Sequence, residues 1–518
     1  MHSGGALAAR RVTKHHGAEA VLEDVSLVVP PHARIGVVGP NGSGKSTLLR
    51  LLAGLEEPDA GRIERRPRTL TVGYLPQEPD AGPDEPVLDY LARRAGIADV
   101  ERRLEVGRPD ALDEFLALGG EDFHARARRV ASELDLPAER LARPAGALSG
   151  GQRARLALAA ILVSRFDVLL LDEPTNDLDF DGLALLERFL ASIRSALVVV
   201  SHDRELLDRV ATRIVELEDG GSGIREWAGG WSEYERAREL ARRRGYEEYE
   251  RFSAERSRIE EQARRMSRWE ERGYGQGRKK KKSKDVKGSY RRRLERLERD
   301  AAAKPFEPWE LRLELATAER GGDVVARLDD AVVERGAFRL GPVDLELRRA
   351  DRLLVTGPNG SGKTTLVGAL LGRLPLAGGT RALGSGVIAA ELEQGRERFA
   401  GADPLLAVFT AETALPAEEA RTLLAKFGLG AGDVARPCSS LSPGERTRAA
   451  LAAFAVRGVN LLALDEPTNH LDLPAIEQLE EALERFAGTL VLVSHDRRFL
   501  ERVAPTRTLD LGRVANIR

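Results

Sequence analysis

The chain is written twice. Its 518 residues carry the run GPNGSGK, followed by a hydroxyl residue, at Gly39–Ser46 and again at Gly357–Thr364. Four further segments return in the same order. Tyr-Leu-Pro-Gln77 is echoed by Glu-Leu-Glu-Gln394, and LSGGQ at Leu148–Gln152 by LSPGE at Leu441–Glu445. VLLLDE at Val168–Glu173 is echoed by LLALDE at Leu461–Glu466, and Ser-His-Asp at 201–203 by the same triplet at 494–496. The pairs Ser149/Ser442, Asp172/Asp465 and His202/His495 all lie 293 residues apart. One such motif could be chance; five in order, twice, could not. The sequence therefore predicts two copies of one supersecondary plan in tandem.

Each GPNGSGK run follows an apolar β-type stretch (Arg34–Val38; Leu353–Thr356) and opens an apolar helical pattern (Leu48–Ala53; Leu366–Leu371). Strand, glycine-rich loop and helix in that order are the context a phosphate-binding loop requires. Glycines let backbone N–H groups approach phosphate oxygens, and the helix N-terminus adds a favourable dipole. The expected nucleotide contacts are Gly39, Pro40, Asn41, Gly42, Ser43, Gly44, Lys45, Ser46 and Thr47 in the first copy. In the second they are Gly357, Pro358, Asn359, Gly360, Ser361, Gly362, Lys363, Thr364 and Thr365. Lys45 and Lys363 are expected to reach the β- and γ-phosphates, and Ser46 and Thr364 to ligate Mg²⁺. An aliphatic strand ending in two carboxylates supplies the rest of a hydrolytic site. Asp172 and Asp465 take the metal role, and Glu173 and Glu466 the role of general base toward water. His202 and His495, each about 30 residues past its Asp-Glu pair, are expected at the γ-phosphate. The fold class this implies is α/β, with two tandem P-loop nucleotide-binding domains.

Composition constrains less. A length of 518 residues accommodates two domains and extra elements, and a formal net charge of −2 says nothing about partners. Cys438 is the only cysteine, so no intrachain disulfide can form, which fits a reducing cytoplasm. Met1–Lys14 is short and basic without the apolar core of a signal peptide, and no run of 18 apolar residues occurs. A cytoplasmic protein without a membrane span is expected.

These motifs resemble those of the ABC ATPase superfamily. The run DEPTNHLD at 465–472, with its counterpart at 172–179, resembles the ABC-F family, and the likeness covers nearly the whole chain. ABC-F proteins are soluble tandem ATPases that bind the ribosome. The resemblance implies that the two domains pair head to tail within one monomeric chain, each ATP lying between one phosphate loop and the opposite LSGGQ-type segment. One site would combine Gly39–Thr47, Gln77, Asp172, Glu173 and His202 with Ser442, Gly444 and Glu445. The other would combine Gly357–Thr365, Gln394, Asp465, Glu466 and His495 with Ser149, Gly151 and Gln152. By the same resemblance Gln77 and Gln394 touch the metal, ATP glues the domains together and hydrolysis releases them. Three departures stand out. Pro443 replaces a glycine of the second LSGGQ-type segment, which removes one N–H and stiffens the turn. Asp177 stands where the second copy has His470. The position expected to stack on adenine holds His16 in one copy and Arg335 in the other. Both sites should be competent but unequal.

The remaining residues should carry the specific function. Gln77 and Ser149 are 72 residues apart but Gln394 and Ser442 only 48, so the first copy carries about 24 extra residues, expected within Asp84–Leu136. The resemblance suggests an arm that touches the ribosomal L1 stalk; a solvent-exposed hairpin without a partner is the alternative. Between the copies, residues 231–322 are charged and helical in pattern. Tyr249, Phe252, Ile259, Met266 and Trp269 form one stripe, and Tyr290, Leu294, Leu297 and Ala301 another. An α-helical hairpin linker with its tip at 271–293 is predicted, separating domains at 1–230 and 323–518. The tip is basic: Arg278–Arg293 holds ten Lys/Arg against one acid, Asp285. The chain has 11 lysines against 69 arginines, yet Lys279, Lys280, Lys281, Lys282, Lys284 and Lys287 crowd together there. With Arg278 they are expected to bind RNA phosphates. In ABC-F proteins this linker reaches toward the P-site transfer RNA, so ribosomal and transfer RNA are the expected partners. The chain ends 23 residues after His495, without the C-terminal coiled coil of DNA-binding relatives. The competing readings are an ATP-binding subunit serving a separate transporter and a DNA-associated ATPase. The basic linker argues against the first, and the short spacing and absent zinc cysteines against the second.

Overall fold

The computed structural model describes residues 5–512 apart from 18, 77–80, 83, 110, 135, 137–140, 149, 177, 219–222, 272–322, 337 and 470. The chain divides into two compact units, Met1–Trp231 with Trp309–Arg518, and Ser232–Pro308. Both nucleotide-binding repeats thus pack into one unit.

The first repeat opens with β1 (Ala6–His16), β2 (Glu19–Val29) and β3 (Arg34–Val38), then α1 (Lys45–Ala53), β4 (Ala60–Arg66) and β5 (Val72–Leu75). A helical portion follows: α2 (Val87–Arg94), α3 (Ile97–Glu105), α4 (Ala111–Ala117), α5 (Phe123–Glu133) and α6 (Gly150–Leu162). It closes with β6 (Val168–Asp172), α7 (Phe180–Ser192), β7 (Ala196–Val200), α8 (Arg204–Val210), β8 (Arg213–Leu217) and β9 (Ile224–Ala228). The long helix α9 (Trp231–Glu271) comes next.

The second repeat runs β10 (Val324–Arg335), β11 (Phe338–Arg348), β12 (Arg352–Thr356), α10 (Lys363–Leu370), β13 (Gly378–Leu383) and β14 (Ala389–Glu391). Then come α11 (Leu392–Arg398), α12 (Leu405–Thr413), α13 (Ala417–Lys426) and α14 (Pro443–Arg457). It ends with β15 (Leu461–Asp465), α15 (Leu473–Glu484), β16 (Thr489–Val493), α16 (Arg497–Val503) and β17 (Arg507–Asp510).

Each repeat has a three-stranded antiparallel sheet, β2-β1-β4 or β11-β10-β13, beside a larger, mainly parallel one. The larger sheets order as β5-β6-β7-β3-β8-β9 and β14-β15-β16-β12-β17. Strands covered on both faces read as unbroken apolar runs, and Val168–Asp172 and Ala196–Val200 are buried at every position. Helix α1 turns Leu48, Leu49, Leu51 and Leu52 into the same core as Ile35, Val37, Val198 and Val200. Each such leucine contributes roughly 2 kcal/mol of burial.

That strand order positions the site. The phosphate loop follows β3, the two carboxylates end β6, and Ser201 and His202 follow β7. Because β6, β7 and β3 are neighbours with parallel register, all three carboxyl ends meet at one edge. Strands β15, β16 and β12 repeat the arrangement. Ligands of open α/β sheets bind at that edge.

The bridge Pro86–Pro144 brackets the helical portion of the first repeat, and Pro404–Pro437 that of the second. Helices α2 to α5 lie between the first pair, and α12 and α13 between the second. The helices without a counterpart, α3 and α4, fall inside the window expected for the insertion. They leave Val106, Leu112 and Leu116 exposed.

In the smaller unit α9 runs for 41 residues, about 60 Å at helical rise. Its Arg, Glu and Ala content favours helix. Ion pairs at i,i+4, Arg251–Glu247, Arg256–Glu260 and Arg265–Glu261, line its exposed side. The Tyr249 and Phe252 rings lie 6.5 Å apart and Ile259 is buried, as one stripe requires. The side chains of Met266 and Trp269 are outside the described residues. So is the rest of the expected hairpin: Tyr290, Leu294, Leu297, Ala301, Arg278 and the lysines at 279–282, 284 and 287. Among the described residues no helix is long and apolar enough to cross a membrane.

Candidate functional site

Each phosphate loop ends on a glycine in the left-handed region, Gly44 at φ 89° and Gly362 at φ 96°, which caps the following helix. A Cβ there would sit 2.8 Å from Leu22 or from Phe338, so both backbone angle and space demand glycine. The first N–H groups of α1 and α10 stay free to face an anion. Lys45 Nζ donates to the carbonyls of Gly39 and Pro40, both at 2.8 Å, and Lys363 Nζ to Gly357 O at 2.8 Å. Burial lowers the pKa of both lysines, while the neighbouring carboxylates, Glu173 for Lys45 and Glu466 for Lys363, pull it back up. Within each loop one hydroxyl is buried without a hydrogen-bond partner among the described residues, Ser43 Oγ and Ser361 Oγ. Buried polar groups require partners, and an anion in the loop would supply them.

Asp172 ends β6 and accepts a hydrogen bond from the Tyr74 hydroxyl at 3.1 Å. The Tyr74 phenol is pushed up to about 12 by burial and then by that carboxylate. Asp465 takes the equivalent position and accepts from the Thr364 hydroxyl, while burial raises its pKa. A carboxylate beside the loop hydroxyl is the pair of oxygen ligands a hydrated Mg²⁺ uses. Among the described residues there is no cluster of three or more His, Cys, Asp or Glu that could hold a metal.

Glu173 and Glu466 adopt φ 48° and 42°, unusual for a residue with a side chain. Their N–H groups donate to Val200 O at 2.9 Å and Val493 O at 2.8 Å, which locks the turn. Strain of this kind costs on the order of 1 kcal/mol and gathers at active sites. It aims each carboxylate at a histidine: His202 Nε2 lies 3.3 Å from Glu173 Oε1, and His495 Nε2 3.5 Å from Glu466 Oε1. Burial pushes His202 down to about 3 and His495 to about 4. Both imidazoles are therefore neutral near pH 7, each offering one N–H.

The halves meet head to tail. Asn41 N–H of the first phosphate loop donates to Asp472 Oδ2 of the second repeat, and Asn359 N–H to Asp179 Oδ2 of the first, both at 3.1 Å. Asp179 and Asp472 had been given no role, although they close the repeated run at 172–179 and 465–472; their 293-residue spacing was the available signal. A cavity of about 900 Å³ joins Arg153 and Ala157 of α6 to Asn359, Gly360, Lys363 and Thr364. Asp465, Glu466 and His495 also line it, with Glu173 and His202 from the opposite repeat. That volume suits a nucleotide.

The other expected contacts divide as follows. Arg335 lines the cavity together with Phe338, an aromatic that the sequence reading passed over. His16 is exposed at the end of β1, opposite Glu19. Gly151 and Gln152 lie in the first turn of α6. Ser442 caps α14, with Glu445 N–H donating to its hydroxyl at 3.2 Å and its own N–H donating to Glu445 Oε2 at 2.7 Å. Gly444 follows in that first turn. Pro443 occupies the first helical position, where no intrahelical N–H bond exists to lose, so its ring suits the turn rather than disturbing it. Gln77, Ser149, Asp177 and His470, and the side chain of Gln394, lie outside the described residues.

Comparison with known proteins follows the same division. A family model described as ABC transporter matches residues 22–176 and 340–469. The tylosin resistance ATP-binding protein TlrC of Streptomyces fradiae is 36% identical, over 95% of this chain and 94% of that protein. The energy-dependent translational throttle protein EttA of Mycobacterium tuberculosis is 34% identical, over 95% of this chain and 89% of that one. ABC transporter F family member 2 of Arabidopsis thaliana is 30% identical, over 95% and 74%. Two matched nucleotide-binding halves and kinship along nearly the full length place this chain in the ABC-F family of ATPases.

Proposed function

We propose that this ATPase binds the ribosome, spends its bound time there under the control of ATP, and so modulates translation or protects it from antibiotics. The observation that carries the reading is kinship along nearly the whole chain with a translational throttle protein and a tylosin resistance protein. The lysines gathered at 279–287 supply chemistry for RNA phosphates, ribosomal or at the P-site transfer RNA. Cytoplasmic location and a monomeric chain belong to the same proposal.

In this reading Lys45, Ser43 and the loop N–H groups bind one triphosphate, and Lys363, Ser361 and their loop the other. Ser46 with Asp172, and Thr364 with Asp465, would hold Mg²⁺, which when bound neutralises phosphate charge. Glu173 and Glu466 orient and deprotonate water, and the neutral histidines donate toward the γ-phosphate. Asp179 and Asp472 report closure of each loop to the opposite repeat.

The test is the double substitution Glu173→Gln with Glu466→Gln. It removes both bases and leaves phosphate contacts intact, so the closed form should persist on its partner. In a sucrose gradient with ATP the variant should co-migrate with 70S ribosomes and arrest translation in a cell-free assay. A variant that washes from ribosomes as easily as the parent would sink the reading.

A further inference from the structure

Beyond the nucleotide contacts, the two repeats grip each other through a second, reciprocal set of residues. Arg204 donates from both terminal nitrogens to Glu480, at 2.8 and 3.2 Å. Arg497 donates to Glu187 at 3.0 Å. Arg204 and Arg497 are 293 residues apart, and so are Glu187 and Glu480. Each glutamate also faces an arginine of its own repeat, Glu187 beside Arg209 and Glu480 beside Arg502, again a matched pair of positions.

Their places in the chain give this grip its meaning. Each arginine stands two residues past the site histidine, His202 or His495. Each glutamate stands eight residues past the aspartate that holds the opposite phosphate loop, Asp472 or Asp179. Those aspartates cap α15 and α7, so eight residues along is about two turns, roughly 12 Å. Helix α15 therefore holds the first repeat at two points, Asn41 through Asp472 and the histidine loop through Glu480. Helix α7 holds the second at Asn359 and Arg497, and its Phe180 ring meets His495 edge-on at 4.7 Å between centroids.

We propose that Arg204 with Glu480, and Arg497 with Glu187, are positioning pairs that yoke the histidine loop and the phosphate loop of each site to one helix of the opposite repeat. The proposal rests on the nucleotide-site reading above. A helix fixed at two points cannot slide or turn against its partner, so histidine and phosphate loop keep register only while both contacts stand. The pairs are unequal. Arg204 and Glu480 form a two-pronged pair with side chains 6% and 1% exposed, whereas Arg497 is 29% exposed and shared with Glu205. A forked guanidinium–carboxylate pair fixes orientation as well as charge, and removing one buried partner strands the other. The yoke at the first phosphate loop is the stiffer.

The test is a double-mutant cycle on the full chain, with Arg204→Met, Glu480→Met and both together, reading ATP turnover. In a Glu466→Gln background, where the first site carries the remaining turnover, each single variant should lose at least tenfold in kcat with KM for ATP changed less than threefold, because the loop still binds nucleotide alone. The double variant should be no slower than the worse single. The cycle on Arg497 and Glu187, read in a Glu173→Gln background, should show the same pattern with a smaller loss. Losses that multiply independently, or a kcat within twofold of that background, would overturn the proposal. Should the methionine variants fail to fold, Arg204→Lys and Glu480→Asp, which keep charge and lose the fork, carry the same cycle. Lys45→Ala separates the underlying reading: unchanged ATP affinity in that variant would refute the nucleotide site itself, whatever the cycle shows.

Discussion

Asp203 illustrates how one side chain couples folding to pH at this interface. It caps α8 by accepting from the N–H groups of Glu205 and Leu206, both at 2.9 Å. Burial, then the charges of Asp496 and Glu187, raises its carboxyl to about 6, against the pull of those N–H donors. A carboxyl raised in the folded state holds its proton after the unfolded chain has released it. Between pH 4 and 6 the folded protein therefore binds more protons, and stability falls as pH rises through that window. A shift of this size corresponds to about 3 kcal/mol at most above pH 6. Asp203→Asn keeps an acceptor for the cap and removes the charge. Without nucleotide, its melting temperature at pH 8 should exceed the parent's by about 2 to 3 °C, an advantage that shrinks toward pH 5. An advantage independent of pH, or a lower melting temperature at pH 8, would show that burial does not penalise this charge. The residue lies next to His202 in a motif visible in the sequence, but only the packed structure brings Asp496 against it.

At the scale of elements, what was legible in the sequence was whatever repeats or follows local chemistry. Phosphate loops, carboxylate-ended strands and the histidines announce themselves because adjacent residues must meet one ligand. Their gathering at one sheet edge follows from strand order, which the apolar runs imply only in part. Asp472 on Asn41 and Glu480 on Arg204 were not read, because each joins residues distant in sequence, and no local pattern marks a distant partner. Helices α3 and α4 were bounded by arithmetic between repeats, but their ends needed the fold. The charged segment after α9 is the reverse case, legible in composition alone. Replacing Lys279, Lys280, Lys281 and Lys282 with alanine removes four positive charges without touching either phosphate loop. If those charges meet phosphates, ribosome affinity should fall and its salt dependence flatten, while turnover without ribosomes changes less than twofold. Pelleting across a salt series reads both; an unchanged slope would mean that the lysines are simply solvated.

Across the whole molecule the two repeats share a plan but not an environment. At the first phosphate loop the Glu173 side chain is 8% exposed, while at the second Glu466 is 27% exposed and a cavity of about 900 Å³ opens beside it. Tyr74 supplies a neutral phenol to Asp172, where the second repeat places Glu391, paired with Arg373. The LSGGQ-type segments differ too. On the proposed head-to-tail pairing, the unaltered Leu148–Gln152 would complete the second site, and Leu441–Glu445 the first. In the latter Glu445 puts a carboxylate where the other copy has the Gln152 amide, and it is tied to Ser442 N–H and, at 3.0 Å, to Arg436. A carboxylate near a triphosphate repels it, and unlike an amide it has no N–H to donate. These differences point one way: the second site should turn over faster. Glu466→Gln should therefore remove most steady-state ATP turnover, and Glu173→Gln a smaller share, with at least a threefold difference between them at saturating ATP. Equal rates for the two single variants would mean that the repeats hydrolyse as equivalent sites despite their different walls.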